Sequence, residues 1–90
     1  MLQKSVDIEF DAAKDEANTA KHGVSLARAS DMDVLTAEED RRFAYGETRY
    51  RAFGFLDGIP CCLAFTVRGS AVRALSLRRA HLKEFRRYVP

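Results

Sequence analysis

Asp57-Gly58 lies between two apolar runs, YRAFGFL (Tyr50 to Leu56) and IPCCLAFTV (Ile59 to Val67), and no other feature restricts the fold as much. Both residues tolerate the positive φ angles of a type I′ turn, whose twist suits paired strands. The spacing therefore predicts a two-residue β-hairpin with Leu56 opposite Ile59. That register sorts the side chains of the hairpin, because alternate residues point to opposite faces. One face takes Tyr50, Ala52, Leu56, Ile59, Leu63, Phe65 and Val67, an apolar set suited to covering by helices. The other takes Arg49, Arg51, Phe53, Phe55, Cys62, Ala64, Thr66 and Arg68, basic away from the turn and aromatic near it. An antiparallel sheet often leaves one face wet, so this second face is the candidate binding surface. Phe53 and Phe55 read either as anchors for a partner or as a second small core beneath the last helix. Gly69-Ser70 makes the next turn, and its loop length decides which of Arg73 or Arg78 joins the basic face.

Upstream of the hairpin, Val6, Ile8 and Phe10 alternate with Asp7 and Glu9 as in a short strand. Asp11 is placed to cap a helix over Ala12 to Lys21, with Asp15 and Glu16 in its first turn and Gly23 after its last. Ser25 caps a second short helix running from Leu26 towards Met32. Val34-Leu35 reads as a minor strand, and the polar stretch Thr36 to Glu47 as a long mobile loop over a cleft. At the other end, Ala71 to Leu77 suits a strand, whereas Leu82, Phe85 and Val89 recur at helical spacing. The change falls at Arg78-Arg79. Two cations at a helix start oppose its dipole, so the pair reads either as a phosphate site or as solvated surface arginines. The predicted architecture is α+β, in the order β-α-α-β-β-β-α: a small antiparallel sheet with a two-helix hairpin on one face and a C-terminal helix. Ninety residues are expected to form a single domain, 1–90.

The net charge of +2 conceals an asymmetry. Residues 1–48 carry 6 Lys/Arg against 11 Asp/Glu, whereas residues 49–90 carry 9 against 2, and all but one of those nine are arginine. A basic half rich in guanidinium permits binding to an anionic polymer. No segment approaches a membrane span and the first residues lack a signal peptide's apolar core, so a cytoplasmic protein is expected. Cys61 and Cys62 are adjacent and would point to opposite faces, without the ligand spacing of a zinc site. The chemistry-bearing pairs are Lys21-His22, Glu47-Arg49, Thr66-Arg68 and Arg78-Arg79, with Tyr88 near the end. RNA is cleaved without a metal by its own 2′-hydroxyl when a base, an acid and cations surround the phosphate, and these residue types suffice for that. Each pair also has a plainer role. Lys21 and His22 suit the dipole at a helix C-terminus, Glu47 neutralises Arg49, and Thr66 is a common strand residue.

Three strings together resemble the BrnT family of type II toxin–antitoxin ribonucleases: IEFDAAKDEANTAKHGVSLARA (Ile8 to Ala29), YGETRY (Tyr45 to Tyr50) and TVRGSAVRALSLRRAHLKEFRRY (Thr66 to Tyr88). The most specific parts are Lys21 to Val24 and Ser76 to Ala80, followed by Glu84 and Tyr88. Phe10 stands where the family often has tryptophan, and Phe85 where a basic residue is usual. The resemblance implies a RelE-like fold and a metal-independent endoribonuclease, without cofactor, that arrests translation. It also implies a DNA-binding BrnA-type antitoxin that binds the toxin as a hetero-oligomer. Carried over by motif, the expected catalytic residues are Lys21, His22, Glu47, Thr66, Arg68, Arg78 and Arg79. The arginines would hold the phosphate, and either His22 or Glu47 would accept the proton. Arg49, Arg51, Arg73 and Lys83 are expected to bind RNA, and the antitoxin to cover the arginine face.

Overall fold

The computed structural model describes residues 7–90, so Val6 of the expected first strand lies outside the described residues. The elements are β1 (Ile8–Glu9), α1 (Ala12–His22), a 3-10 helix (Leu26–Asp31), β2 (Asp33–Asp40), β3 (Arg49–Leu56), β4 (Ile59–Arg68), β5 (Ala71–Arg79) and α2 (Leu82–Tyr88). They form a five-stranded sheet in the order β1-β5-β4-β3-β2. Strands β2 to β5 are an antiparallel meander, whereas β1 runs parallel to β5, so the sheet is mixed where an antiparallel one was expected.

Local signals place the first helices. Asp11 accepts a hydrogen bond from the Ala13 N–H at 3.2 Å, and Gly23, in the left-handed region at φ 74°, closes α1 by donating its N–H to the Thr19 carbonyl. Ser25 caps the next helix as expected, but that helix is a six-residue 3-10 helix. Two boundaries differ more. The minor strand at Val34-Leu35 is an eight-residue strand, so four strands come after the helices where three were expected, and the long loop shrinks to residues 41–48. Cross-strand pairing explains part of this: Glu38 lies opposite Arg51 and pairs with it at 3.1 Å, while Asp40, level with Arg49, is held by Arg42 and Tyr45 just beyond the strand end. Leu35 bulges out of β2, and there β2 comes so close to β3 that a side chain at Gly54 would collide with the Asp33 carbonyl. The second shift is at the C-terminus. Arg78 and Arg79 end β5, and α2 starts only at Leu82, after His81.

The hairpin is as predicted, with Asp57 and Gly58 at φ 53° and 77° and Leu56 opposite Ile59. Of its two faces, one packs Ala52, Leu56, Leu63, Ala74 and Leu77 against Leu26, Ala29 and Met32, and Tyr50 stacks on Phe65 at its end. The other face carries a second small core. Phe53 is fully buried there, stacked on Tyr88 at 4.8 Å and edge-on to Phe85. Phe53 and Phe55 are therefore held by α2 and are not anchors for a partner. Cys61 and Cys62 enter the first and the second core respectively, both as free thiols.

Strand β5 decides between Arg73 and Arg78. Arg68 lies opposite Ala71, so the turn has two residues and Arg73 faces outward opposite Thr66. These arginines are an odd number of residues apart, and a regular strand would send them to opposite faces. An irregularity at Leu75 absorbs one residue, setting Ser76 opposite Ala64 and Arg78 opposite Cys62. Both arginines consequently join the same face. Among the described residues, no helix is long and apolar enough to cross a membrane.

Candidate functional site

The expected site residues fall into three groups. The first is at the open end of the basic face, where Arg49, Thr66 and Arg73 occupy one row across β3, β4 and β5. Arg49 pairs with Glu47 at 3.2 Å and lies over the Tyr45 ring at 4.3 Å. Tyr45 in turn donates its hydroxyl to the buried carboxylate of Asp40, which also accepts from the backbone N–H and the guanidinium of Arg42. These bonds to Arg42 and Tyr45 hold the Asp40 carboxyl well below the usual carboxylate range and give the loop 41–48 a defined shape. Thr66 is buried and donates its hydroxyl to the Thr48 carbonyl at 2.9 Å, so it ties that loop down and is not available to a substrate. Arg73 pairs with Glu9, and Arg68 is exposed at the end of β4.

The second group lies under α2. Arg51, expected to bind RNA, is 5% exposed. It donates to Glu38 at 3.1 Å and to the Tyr88 hydroxyl at 3.0 Å, so its charge is spent on docking α2. Arg78 makes a two-pronged pair with Glu84 of α2 at 3.0 and 3.1 Å. The paired arginines thus do not form a phosphate site at a helix start. Arg78 is clamped to α2, and Arg79, next along a strand, points away from it and is exposed. Lys83 is exposed on α2.

The third group is at the end of α1. Beyond Arg73, β5 has no strand on its outer side, because β1 pairs only with Val72 and Arg73. Asn18 fills part of that gap. Its side chain accepts from the Leu77 N–H at 3.1 Å and donates to the Leu77 carbonyl at 2.9 Å, the two bonds a neighbouring strand would supply. It also donates to the Val24 carbonyl. Asn18 thereby fixes the last turn of α1, which carries Lys21 and His22, beside the strand that carries Arg78. His22 is exposed, and slight desolvation followed by the charges of Lys21 and Arg78 pushes its pKa below the usual 6.5. A neutral imidazole among cations is a proton acceptor. Between this helix and β5 runs a cavity of about 240 Å³, lined by Lys14, Lys21, His22 and Ser76 among others.

The site residues do not meet in one constellation. Arg49 lies four residues along β3 from Phe53, the residue level with Arg78, which is about 13 Å along the sheet. Glu47 goes with Arg49, so it is remote from His22. Asn18 and Lys14 were missed by sequence reasoning. A polar residue on a largely polar helix signals little, although Lys14 and Lys21, i and i+7, do mark one stripe. Among the described residues no three His, Cys, Asp or Glu side chains converge as a metal site would require.

Residues 10–84 match the family described as the ribonuclease toxin, BrnT, of type II toxin–antitoxin systems. The chain is also similar to the Brucella abortus ribonuclease toxin BrnT, known from a crystal structure at 1.1 Å. The two share 30% identity at a TM-score of 0.68, over 86% of this chain and 99% of that one. No curated protein matches the chain.

Proposed function

The chain belongs to the BrnT family of ribonuclease toxins of type II toxin–antitoxin systems, and from that premise we propose that it is a metal-independent endoribonuclease of RelE-like fold whose proton acceptor is His22. The observation that carries this reading is the place of the exposed imidazole at the end of α1, beside Lys21 and the strand that carries Arg78, whose charges add to slight desolvation in lowering its pKa. Neutral His22 takes the proton from the 2′-hydroxyl of the substrate. The 2′-oxygen attacks the adjacent phosphorus, the bond to the 5′-oxygen breaks, and that oxygen leaves with a proton from solvent. Lys21, with Arg78 steadied by Glu84, faces the charge that develops on phosphorus. Glu47, the other candidate base, is already ion-paired with Arg49 at the far end of the sheet. Arg68, Arg79 and Lys83 are exposed, and they guide RNA by charge without touching the reacting atoms.

Cleavage of RNA in the cytoplasm arrests translation, and a DNA-binding antitoxin of the BrnA type neutralises the toxin by covering its cations. The test is purified protein incubated with RNA in EDTA. Fragments ending in a 2′,3′-cyclic phosphate are expected, and His22→Ala should slow their appearance by about 10²- to 10⁴-fold. The wild-type rate should rise with pH through an apparent pKa below 6.5 and then level off. Cleavage that stops on chelation, or a His22→Ala protein that cuts at the wild-type rate, would remove the mechanism.

A further inference from the structure

We propose that the cavity between α1 and the free edge of β5 is a subsite for a backbone phosphate of the RNA next to the one being cleaved, with Lys14 as its ligand. The proposal rests on the reading of His22 given above, since the cavity is continuous with that residue. Its walls carry one sign of charge. Lys14, Ala17 and Lys21 follow one another up a single stripe of α1, and Ala17 between the two lysines is small enough to leave the space open. The opposite wall is the backbone of β5 with Leu75 and Ser76, which are uncharged. The acids of α1 are turned elsewhere. Glu16 is about 200° around the helix from Lys14, and Asp15 accepts from the Ser25 hydroxyl and the Leu26 N–H. Neither Lys14 nor Lys21 has a carboxylate partner among the described residues, which they share with the exposed Arg68, Arg79 and Lys83; what sets the two lysines apart is that they line one cavity. A strand is excluded as the occupant, because Asn18 already takes the Leu77 N–H and carbonyl that an added strand would pair. What remains is a groove with free ammonium groups and a hydroxyl, open along its length and ending at a proton acceptor. An extended polyanion fits it, and Lys14 lies two turns along α1 from Lys21.

Binding of a 2′-O-methyl oligonucleotide, which cannot be cleaved, tests the subsite separately from catalysis. Lys14→Ala should weaken binding about three- to tenfold and reduce the log–log salt slope by about 0.7, the value of one phosphate contact. Lys14→Arg should restore both. Ala17→Glu puts a carboxylate on the cavity floor and should weaken binding at least as much, whereas Ala20→Glu makes the same change outside the cavity and should alter it less than twofold. With a cleavable RNA, Lys14→Ala should raise KM and leave kcat unchanged. Equal losses for Ala17→Glu and Ala20→Glu would mean that only net charge matters, and unchanged binding by Lys14→Ala would mean that the groove is not used. Either result overturns the subsite. A wild-type protein that binds the oligonucleotide through Lys14 yet cleaves no RNA would instead overturn the nuclease reading alone, and one that binds no RNA would overturn both.

Discussion

Asn18 takes the place of a strand. Its side-chain amide has both a donor and an acceptor, which is what the N–H and carbonyl of Leu77 require at an edge with no neighbour. Removing it leaves the Leu77 N–H and carbonyl buried without partners, so Asn18→Ala should lower unfolding free energy by about 2–4 kcal/mol. Asn18→Asp tests the reason, because a carboxylate cannot donate to the Leu77 carbonyl and should be no better tolerated. Denaturant unfolding measures both, and a loss below about 0.5 kcal/mol would show that the edge needs no such bond. Arg51 teaches the converse at the same scale. Its charge suggested a ligand for RNA, but it is buried against Tyr88 and Glu38, and its Nε has no partner at all. Alternation along β3 correctly put Arg51 on the basic face, but not what covers it there. Whether a cation on a strand meets solvent or another element depends on a helix more than thirty residues further along the chain.

Among the elements, α2 depends most on tertiary contacts. Seven residues are too few for a stable isolated helix, and His81 provides no side-chain cap. Its place is set by Phe85 between Phe53 and Phe55, by Tyr88 on Phe53, and by Glu84 on Arg78. Phe85→Ala should therefore cost about 3–5 kcal/mol and release the helix. Far-ultraviolet circular dichroism together with hydrogen exchange across residues 82–88 would show this. Exchange there no faster than in wild type would mean that the aromatic contact is not what holds α2. Strand β2 shows the same dependence. Its acids look like loop in one dimension, yet Glu38 finds Arg51 opposite it on β3 and the strand forms.

For the molecule as a whole, two buried or half-buried carboxylates make stability fall in acid. Hydrogen bonds from Arg42 and Tyr45 lower the Asp40 pKa, and hydrogen bonds from Arg78 lower that of Glu84. A carboxyl with a folded pKa below its unfolded value stabilises the protein above that unfolded value, about 4, and the contribution is lost as pH falls through the folded one. The melting temperature should thus be flat from pH 8 to about 7, decline slightly below about 6.5, where protonation of His22 with its lowered folded pKa begins to favour the unfolded chain, and drop further below about 4. Asp40→Asn should be less stable than wild type at pH 7, with a gap that closes towards pH 2; a gap constant over that range would show that the carboxylate charge is not the source.

The same scale separates what the residues determined alone from what needed the folded chain. The hairpin at Asp57-Gly58, the caps at Asp11 and Ser25, the opposite faces of β3 and β4 and the α+β class come from local rules, because turn geometry, capping and alternation act over a few residues. The family, too, was legible in three short strings. The length of β2, the end of β5, the burial of Phe53 and Arg51 and the separation of His22 from Glu47 were not. Each of these depends on which element packs on which across dozens of residues. The irregularity at Leu75 is the clearest case: one extra residue in β5 moves Arg78 to the face of Arg73, and it makes sense only beside β4, where Ala64 meets Ser76 and Phe65 meets Ala74.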